Sequence, residues 1–214
     1  GSQEYPFTEA MKPKPVDPYA ISKVAAEQVL INLCELNKIE WVIAVPHNII
    51  GPKQKYDDPF RNVASIMTNL MLQGRQPVIY GDGNQKRCFS DIQDCIFCLD
   101  KLLLDPEIKS QVINIGPDEE VITIKELFGK ISNKMKFNMP PLYYKDRPNE
   151  VKYASCSSEK ARMLLGYKTS INLDNSLDKL ISFVKKKGPK EFKYGYKLEI
   201  DNEVTPETWK KKIF

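Results

Sequence analysis

An α/β fold with parallel strands is predicted for this 214-residue chain by three observations: two continuous apolar runs, segments of helical periodicity between them, and frequent turn residues. The runs are WVIAV at 41–45 and QVINIG at 111–116, the pattern of strands buried on both faces of a parallel sheet. Fifteen prolines against ten glycines impose hard stops and stiff connections, which suits an enzyme of short elements better than a helical bundle.

The elements follow in order. Residues 1–18, GSQEYPFTEAMKPKPVDP, read as an irregular surface segment. From Tyr19 to about Asn37, Ile21, Val24, Ala25, Val29, Leu30, Leu33 and Leu36 recur at helical spacing, and Asp17 with Pro18 forms a cap and first turn. The strand at 41–45 ends at Pro46, so helix and buried strand make half of a βαβ repeat. After PHNIIGP come a polar stretch, a helix near 62–73, a short strand PVIY, a glycine-rich turn GDGNQ, an extended KRCFSDI and a helix over 92–104. The second buried strand is followed by a helix near 124–135, a strand around Leu142 to Tyr144, and helices near 157–165 and 173–186. Residues 191–214, with YKLEI as an edge strand, read as an appended tail.

Composition removes several classes of function. With 42% hydrophobic and 28% charged residues the chain is ordinary globular material, and no apolar run of about 18 residues points to a membrane. The formal charge of +4 is small, and the runs KKKGPK (185–190) and KKK (210–212) lack interleaved aromatics, so they read as solvated surface, not a nucleic-acid patch. Five scattered cysteines without a disulfide framework imply a reduced, cytoplasmic setting. Cys95 and Cys98 form a CxxC, yet their spacing of three puts both on the apolar side of a helix, as core thiols. His47 is the single histidine, which excludes a multi-histidine metal centre; no metal site is expected. In GDG at 81–83 a short strand precedes the glycines but no helix opens from them, so the motif is a tight turn and not a dinucleotide loop.

The stretch DPYAISKVAAE (17–27) carries the chemistry. In a helix Tyr19 and Lys23 share one face, a turn apart. An ammonium held near a phenol favours the ionised form, and such a pair can exchange a proton with an alcohol while hydride leaves its carbon for a nicotinamide. The spacing alone also occurs between mere surface neighbours.

Its context is more specific. PFTEAMKPKPVDPYAISKVAAE, VPHNIIGPKQ, DPFRNV, QPVIYGDGNQKRCFSDIQD, VINIGPDEEVITIKEL and DRPNEVKYASCSSEKARMLLGY occur in that order. Over residues 5–186 the chain resembles the extended short-chain dehydrogenase/reductase family, in particular the NAD-dependent nucleotide-sugar epimerases and dehydratases, and most nearly the UDP-glucose 4-epimerase-like proteins.

That resemblance implies the C-terminal portion of a Rossmann-type parallel sheet plus a small α/β substrate-binding subdomain, with the N-terminal dinucleotide-binding half absent. Residues 1–60 would be a remnant of the NAD-binding domain, 61–190 mainly the substrate subdomain with returning Rossmann elements near 85–116, and 191–214 a tail. It makes Tyr19 the catalytic base and acid, and Lys23 the residue that holds the nicotinamide ribose. Pro46 and His47 would flank the nicotinamide of NAD, and Asn48 would meet the substrate's phosphate or sugar. Arg87 and Arg147 would grip the diphosphate of a UDP-hexose, since a planar guanidinium suits paired phosphate oxygens. Glu150 would accept from the ribose hydroxyls, while Ile79 and Tyr80 border the base with backbone groups near Asn62 and Val63.

Two departures accompany the match: Val45 stands where the family usually has arginine, and Ser90 or Cys88 where it usually has aspartate. A glycine-rich half and a serine or threonine that polarises the substrate are expected ahead of residue 1, and Ser2 comes too late for that role. The expected activity is 4-epimerisation in the full-length parent, the chain alone being inactive. A 4,6-dehydratase or decarboxylase, and a non-catalytic nucleotide-sugar-binding module, are the alternatives. Expected partners are the nucleotide sugar and either a second copy in a homodimer or a separate N-terminal half; nucleic acid and membrane are not.

Overall fold

The computed structural model describes residues 5–148, 150–195, 197–198, 201–203 and 205–214. In chain order its elements are α1 (Pro18–Leu36), β1 (Val42–Pro46), β2 (Ile49–Ile50), α2 (Val63–Leu72), β3 (Val78–Tyr80), β4 (Lys86–Arg87), β5 (Ser90–Asp91), α3 (Ile92–Leu104), β6 (Gln111–Ile115), β7 (Ile122–Thr123), α4 (Ile124–Met135), β8 (Leu142–Tyr144), β9 (Tyr153–Ala154), α5 (Glu159–Leu165), α6 (Leu173–Lys187) and α7 (Glu207–Lys210). Helices α1 to α6 and strands β1, β3, β6 and β8 stand where the sequence predicts them, and β4 and β5 fall in the stretch read as extended; the two-residue strands β2, β7 and β9 and the short helix α7 were not expected. The expected edge strand YKLEI falls largely outside the described residues, at Tyr196, Glu199 and Ile200.

Two interleaved compact units are formed, and residues 88–121 return to the first of them. The first comprises residues 1–49, 88–121 and 153–171; the second comprises 50–87, 122–152 and 172–214. The residues after 190, read as an appended tail, thus belong to the second unit.

In the first unit β1 and β6 pair in parallel, with Val42 opposite Gln111 and Pro46 opposite Ile115. Helices α3 and α5 cover the pair through a core of Cys95, Cys98, Leu102, Ile113, Ile115, Ala161, Leu165 and Tyr167. The CxxC is therefore core: Cys98 is fully buried, and burial pushes its thiol up to about 11 and that of Cys95 to about 12. No cluster of three or more metal-binding side chains occurs among the described residues. The expectation for WVIAV needs correcting, because β1 is half-buried, not enclosed. Among the described residues its paired strand is β6, and an apolar run records hydrophobicity without recording how many neighbours arrive.

Helix α1 is started by Asp17, whose carboxylate accepts from Ala20 N at 2.8 Å, with Pro18 in the first turn. None of its residues is buried; Ile21, Val29, Leu33 and Leu36 are all more than half exposed. The proline-rich opening is less irregular than expected. Phe7 bridges to Cys156, donating to Ser155 O and accepting from Ser157 N, both at 2.8 Å, and Glu9 accepts from Asn114 N.

In the second unit α2, α4 and α6 pack together around Met67, Leu70, Leu127, Ile131, Leu177, Leu180 and Val184. Strand β3 pairs in parallel with β8, and β4 runs antiparallel to β7. A capping box opens α4: Thr123 Oγ1 accepts from Glu126 N, and the Glu126 carboxylate accepts from Thr123 N. No helix among the described residues is long and apolar enough to cross a membrane.

Candidate functional site

Each unit carries its own set of predicted residues. In the first, Tyr19 lies in the first turn of α1 and Lys23 one turn on. Both are exposed, Tyr19 at 71%, and the Lys23 ammonium stands over the Tyr19 ring at 5.4 Å from its centre. Helix geometry brings them together: a separation of four residues returns to the same face. The hydroxyl therefore meets solvent, not packed hydrocarbon.

Pro46 and His47 follow at the C-terminal end of β1. His47 N donates to Ile115 O at 2.9 Å, extending the ladder by one residue. Burial depresses the imidazole pKa below its ordinary value, against the opposing influence of an Asn114 hydrogen bond and the Glu9 carboxylate. Asn48 adopts a left-handed backbone (φ 40°), which asparagine tolerates, and its amide donates to Cys88 O at 2.9 Å. That bond fixes the turn after β1. Ser90 donates from Oγ to His47 O at 2.5 Å. Gly116 is confined by the same turn: a Cβ there would approach Ser90 Oγ to 2.7 Å and His47 Cβ to 3.3 Å.

In the second unit Arg87, on β4, and Arg147, in the loop after β8, converge on Glu150. One carboxylate oxygen accepts from Arg87 Nη2 at 2.6 Å, and the other from Arg147 Nε at 2.7 Å and Nη2 at 2.6 Å. Glu150 is 7% exposed, Arg87 14% and Arg147 42%. Burial is the largest influence on Arg87 and pulls its pKa down, Arg147 adds to this, and Glu150 opposes both. The Arg147 guanidinium also stacks over the Tyr80 ring, 4.9 Å from its centre. Two cations thus share one anion, with an aromatic face beneath the more exposed of them.

The remaining predicted residues of this unit are placed differently. Ile79 is fully buried, so Tyr80 is the member of that pair whose side chain reaches the clamp. Asn62 caps α2, its Oδ1 accepting from Ala64 N at 2.9 Å, and Val63 is the first helical residue. GDG is a turn, with Gly81 and Gly83 at φ 62° and 76°. Sequence reasoning missed Thr208, which is fully buried and hydrogen-bonded to the Tyr80 hydroxyl. The one local signal for it was PETW at 206–209, a proline-led helical turn with an acidic first residue.

A family model for GDP-mannose 4,6-dehydratase matches residues 1–180. The chain belongs to the GDP-mannose 4,6-dehydratase family. Within that family of nucleotide-sugar epimerases and dehydratases, the UDP-glucose 4-epimerase of Mycolicibacterium smegmatis is 28% identical over 185 residues, covering 86% of this chain and 58% of that protein. The dTDP-D-glucose 4,6-dehydratase of Mus musculus is 28% identical over 193 residues, covering 87% and 52%. Among solved structures, the UDP-glucuronic acid 4-epimerase from Bacillus cereus in complex with UDP-glucuronic acid and NAD superposes with a TM-score of 0.78 at 28% identity, covering 87% of this chain and 58% of that one. The chain spans 57–58% of the length of the first curated relatives that it matches.

Proposed function

We propose that this chain is the C-terminal part of an NAD-dependent UDP-hexose 4-epimerase. The observation that carries the reading is the exposed pair on α1, a phenol with a cation over its ring, in a chain whose other unit presents two arginines on one buried carboxylate. The first is an acid–base device for a sugar hydroxyl; the second is a geometry for a diphosphate.

The residues present fit the nicotinamide half of NAD. Tyr19 and Lys23 offer hydroxyl and ammonium donors at the surface, and burial keeps the imidazole of His47 neutral at pH 7, suited to flank an uncharged ring with Pro46. Bound NAD supplies a hydride acceptor and donor. Tyr19 would take the proton of the sugar C4 hydroxyl and give it back to the same oxygen after the keto-sugar has turned over, so that hydride would rejoin C4 on the opposite face; Lys23 would hold the ribose hydroxyls one turn away. Arg87 and Arg147 bind the diphosphate, Glu150 accepts from the uridine ribose, and Tyr80 borders the base. Asn48 donates to the sugar or its phosphate from the turn after β1. Asn62 and Val63 offer backbone groups at the start of α2, and Ile79 shapes the wall behind Tyr80.

The mouse relative named as a 4,6-dehydratase favours a second reading, in which the same Tyr19 serves dehydration. Assay of the full-length gene product separates the two. The epimerase reading expects UDP-glucose and UDP-galactose to interconvert, and Tyr19→Phe to lower the rate by about 10²–10⁴-fold, the usual range for losing a general acid–base group. A 4-keto-6-deoxy product would establish the dehydratase, and a Tyr19→Phe enzyme as active as the parent would refute the acid–base role.

A further inference from the structure

The family match ends at residue 180, yet the residues beyond it are built into the second unit. The fully buried side chain of Asn69, on α2, clasps the backbone of Lys190 in both directions. Its Nδ2 donates to Lys190 O at 2.8 Å, and its Oδ1 accepts from Lys190 N at 3.1 Å. Gln73 Nε2 donates to the same carbonyl at 2.7 Å. Further on, Trp209 packs edge-on against Phe60 with ring centres 5.0 Å apart, and Arg75 donates to Ile213 O at 2.5 Å.

What this anchoring delivers is Thr208, with no exposed surface, to the hydroxyl of Tyr80. Tyr80 is half-buried, a setting in which the phenol finds such a partner, and the bond holds the hydroxyl end of its ring. Arg147 lies over that ring, Glu150 accepts from its Nε and Nη2, and Arg87 donates to the other oxygen of Glu150. From Thr208 to Arg87 the contacts form one unbroken series, with the proposed diphosphate ligands at its far end.

We infer that the segment after Gly188 is a working wall of the nucleotide site, in which Thr208 is a positioning residue that holds Tyr80 so that Arg147 is carried at the angle a nucleoside diphosphate requires. This rests on the assignment of Arg87 and Arg147 as the diphosphate clamp. Thr208 touches no phosphate; it acts through Tyr80.

Titration calorimetry of the protein with UDP tests both levels. Arg147→Ala weakens binding if the clamp is correct. Thr208→Val, which keeps the shape and removes the hydroxyl, weakens UDP binding about 3- to 10-fold, the range set by one buried hydrogen bond, while Thr208→Ser restores it to within about twofold. Tyr80→Phe reproduces the Thr208→Val loss. In the Arg147→Ala background, Thr208→Val has no further effect, because the residue through which it acts is gone; a merely structural loss would add in full.

If Arg147→Ala weakens UDP binding but Thr208→Val and Tyr80→Phe leave it unchanged, the inference is overturned and the clamp stands. Unchanged affinity in Arg87→Ala and Arg147→Ala would remove the clamp and the inference with it. Tighter UDP binding after deletion of residues 189–214 would overturn it too, since the segment would then be competing with the nucleotide.

Discussion

Replacing Glu150 with glutamine keeps the shape of the clamp and removes its one negative charge. The carboxylate is 7% exposed and takes three charge-assisted bonds of 2.6 to 2.7 Å from two guanidiniums. Removing one partner of a buried ion pair costs about 3–5 kcal/mol, because the surviving charge is left uncompensated. That figure applies to Arg87, at 14% exposure, whereas Arg147 at 42% is rehydrated and its half counts for little. Glutamine also returns some acceptor capacity, so the net loss is about 2–4 kcal/mol. For a chain of this size that lowers the melting temperature by about 5–15 °C. Of the two tryptophans, Trp209 lies in the second unit and Trp41 in the first, so Trp209 fluorescence in a Trp41→Phe background reports the relevant unit. Inorganic pyrophosphate should recover more of the melting temperature in Glu150→Gln than in the parent, because it replaces the missing anion between two arginines. A loss below about 0.5 kcal/mol, the level of a solvated surface pair, would show that the clamp is not a desolvated device.

Two further outcomes follow from burial and charge. Cys88, Cys95 and Cys156 are fully or almost fully buried with thiols pushed up to about 12, and Cys98 to about 11, while Cys34 is half-buried on α1. Native protein should therefore release one equivalent rapidly from a thiol-disulfide reagent and the other four on unfolding; a second fast equivalent would contradict the core assignment. Asp118 and Glu119 both bind Arg162; for each carboxyl, burial is the largest influence and raises its pKa, but the hydrogen bonds, those from Arg162 foremost, leave it below the ordinary value. A carboxyl depressed in the native state stabilises it above its unfolded pKa and loses that contribution as pH falls through the folded value. Urea titrations should thus show stability decreasing below about pH 4, with a shallower acid limb in Arg162→Met; parallel limbs would refute the assignment.

Local chemistry made much of this legible in the sequence. Asp17–Pro18 starts α1 because a cap and a fixed φ act within one turn, and Tyr19 and Lys23 share a face because 3.6 residues per turn place them there. The apolar runs gave β1 and β6, and the CxxC was readable as core from helical spacing alone. The likeness to the epimerases and dehydratases marked Arg87, Arg147 and Glu150 singly. That they meet was not readable: Arg87 and Glu150 are 63 positions apart, and an ion pair at that separation exists only when β4 and the loop after β8 are folded against one another.

The same distinction explains the misreadings. Hydrophobicity identifies WVIAV as a strand, but its half-exposure depends on which strands pair with it. Ile79 and Tyr80 are neighbours in sequence, and strand alternation sends the first into the core and the second to the clamp. Local periodicity does not mark Lys190 or Trp209, because each is held by a side chain distant in sequence, Asn69 for Lys190 and Phe60 for Trp209. The sequence by itself determined the six longer helices, the strands β1, β3, β6 and β8 and the Tyr–Lys pair, since each depends on interactions within a few residues. Only the tertiary structure decided that one buried carboxylate joins two arginines and that Thr208 closes on Tyr80, because those energies appear when distant segments exclude water together.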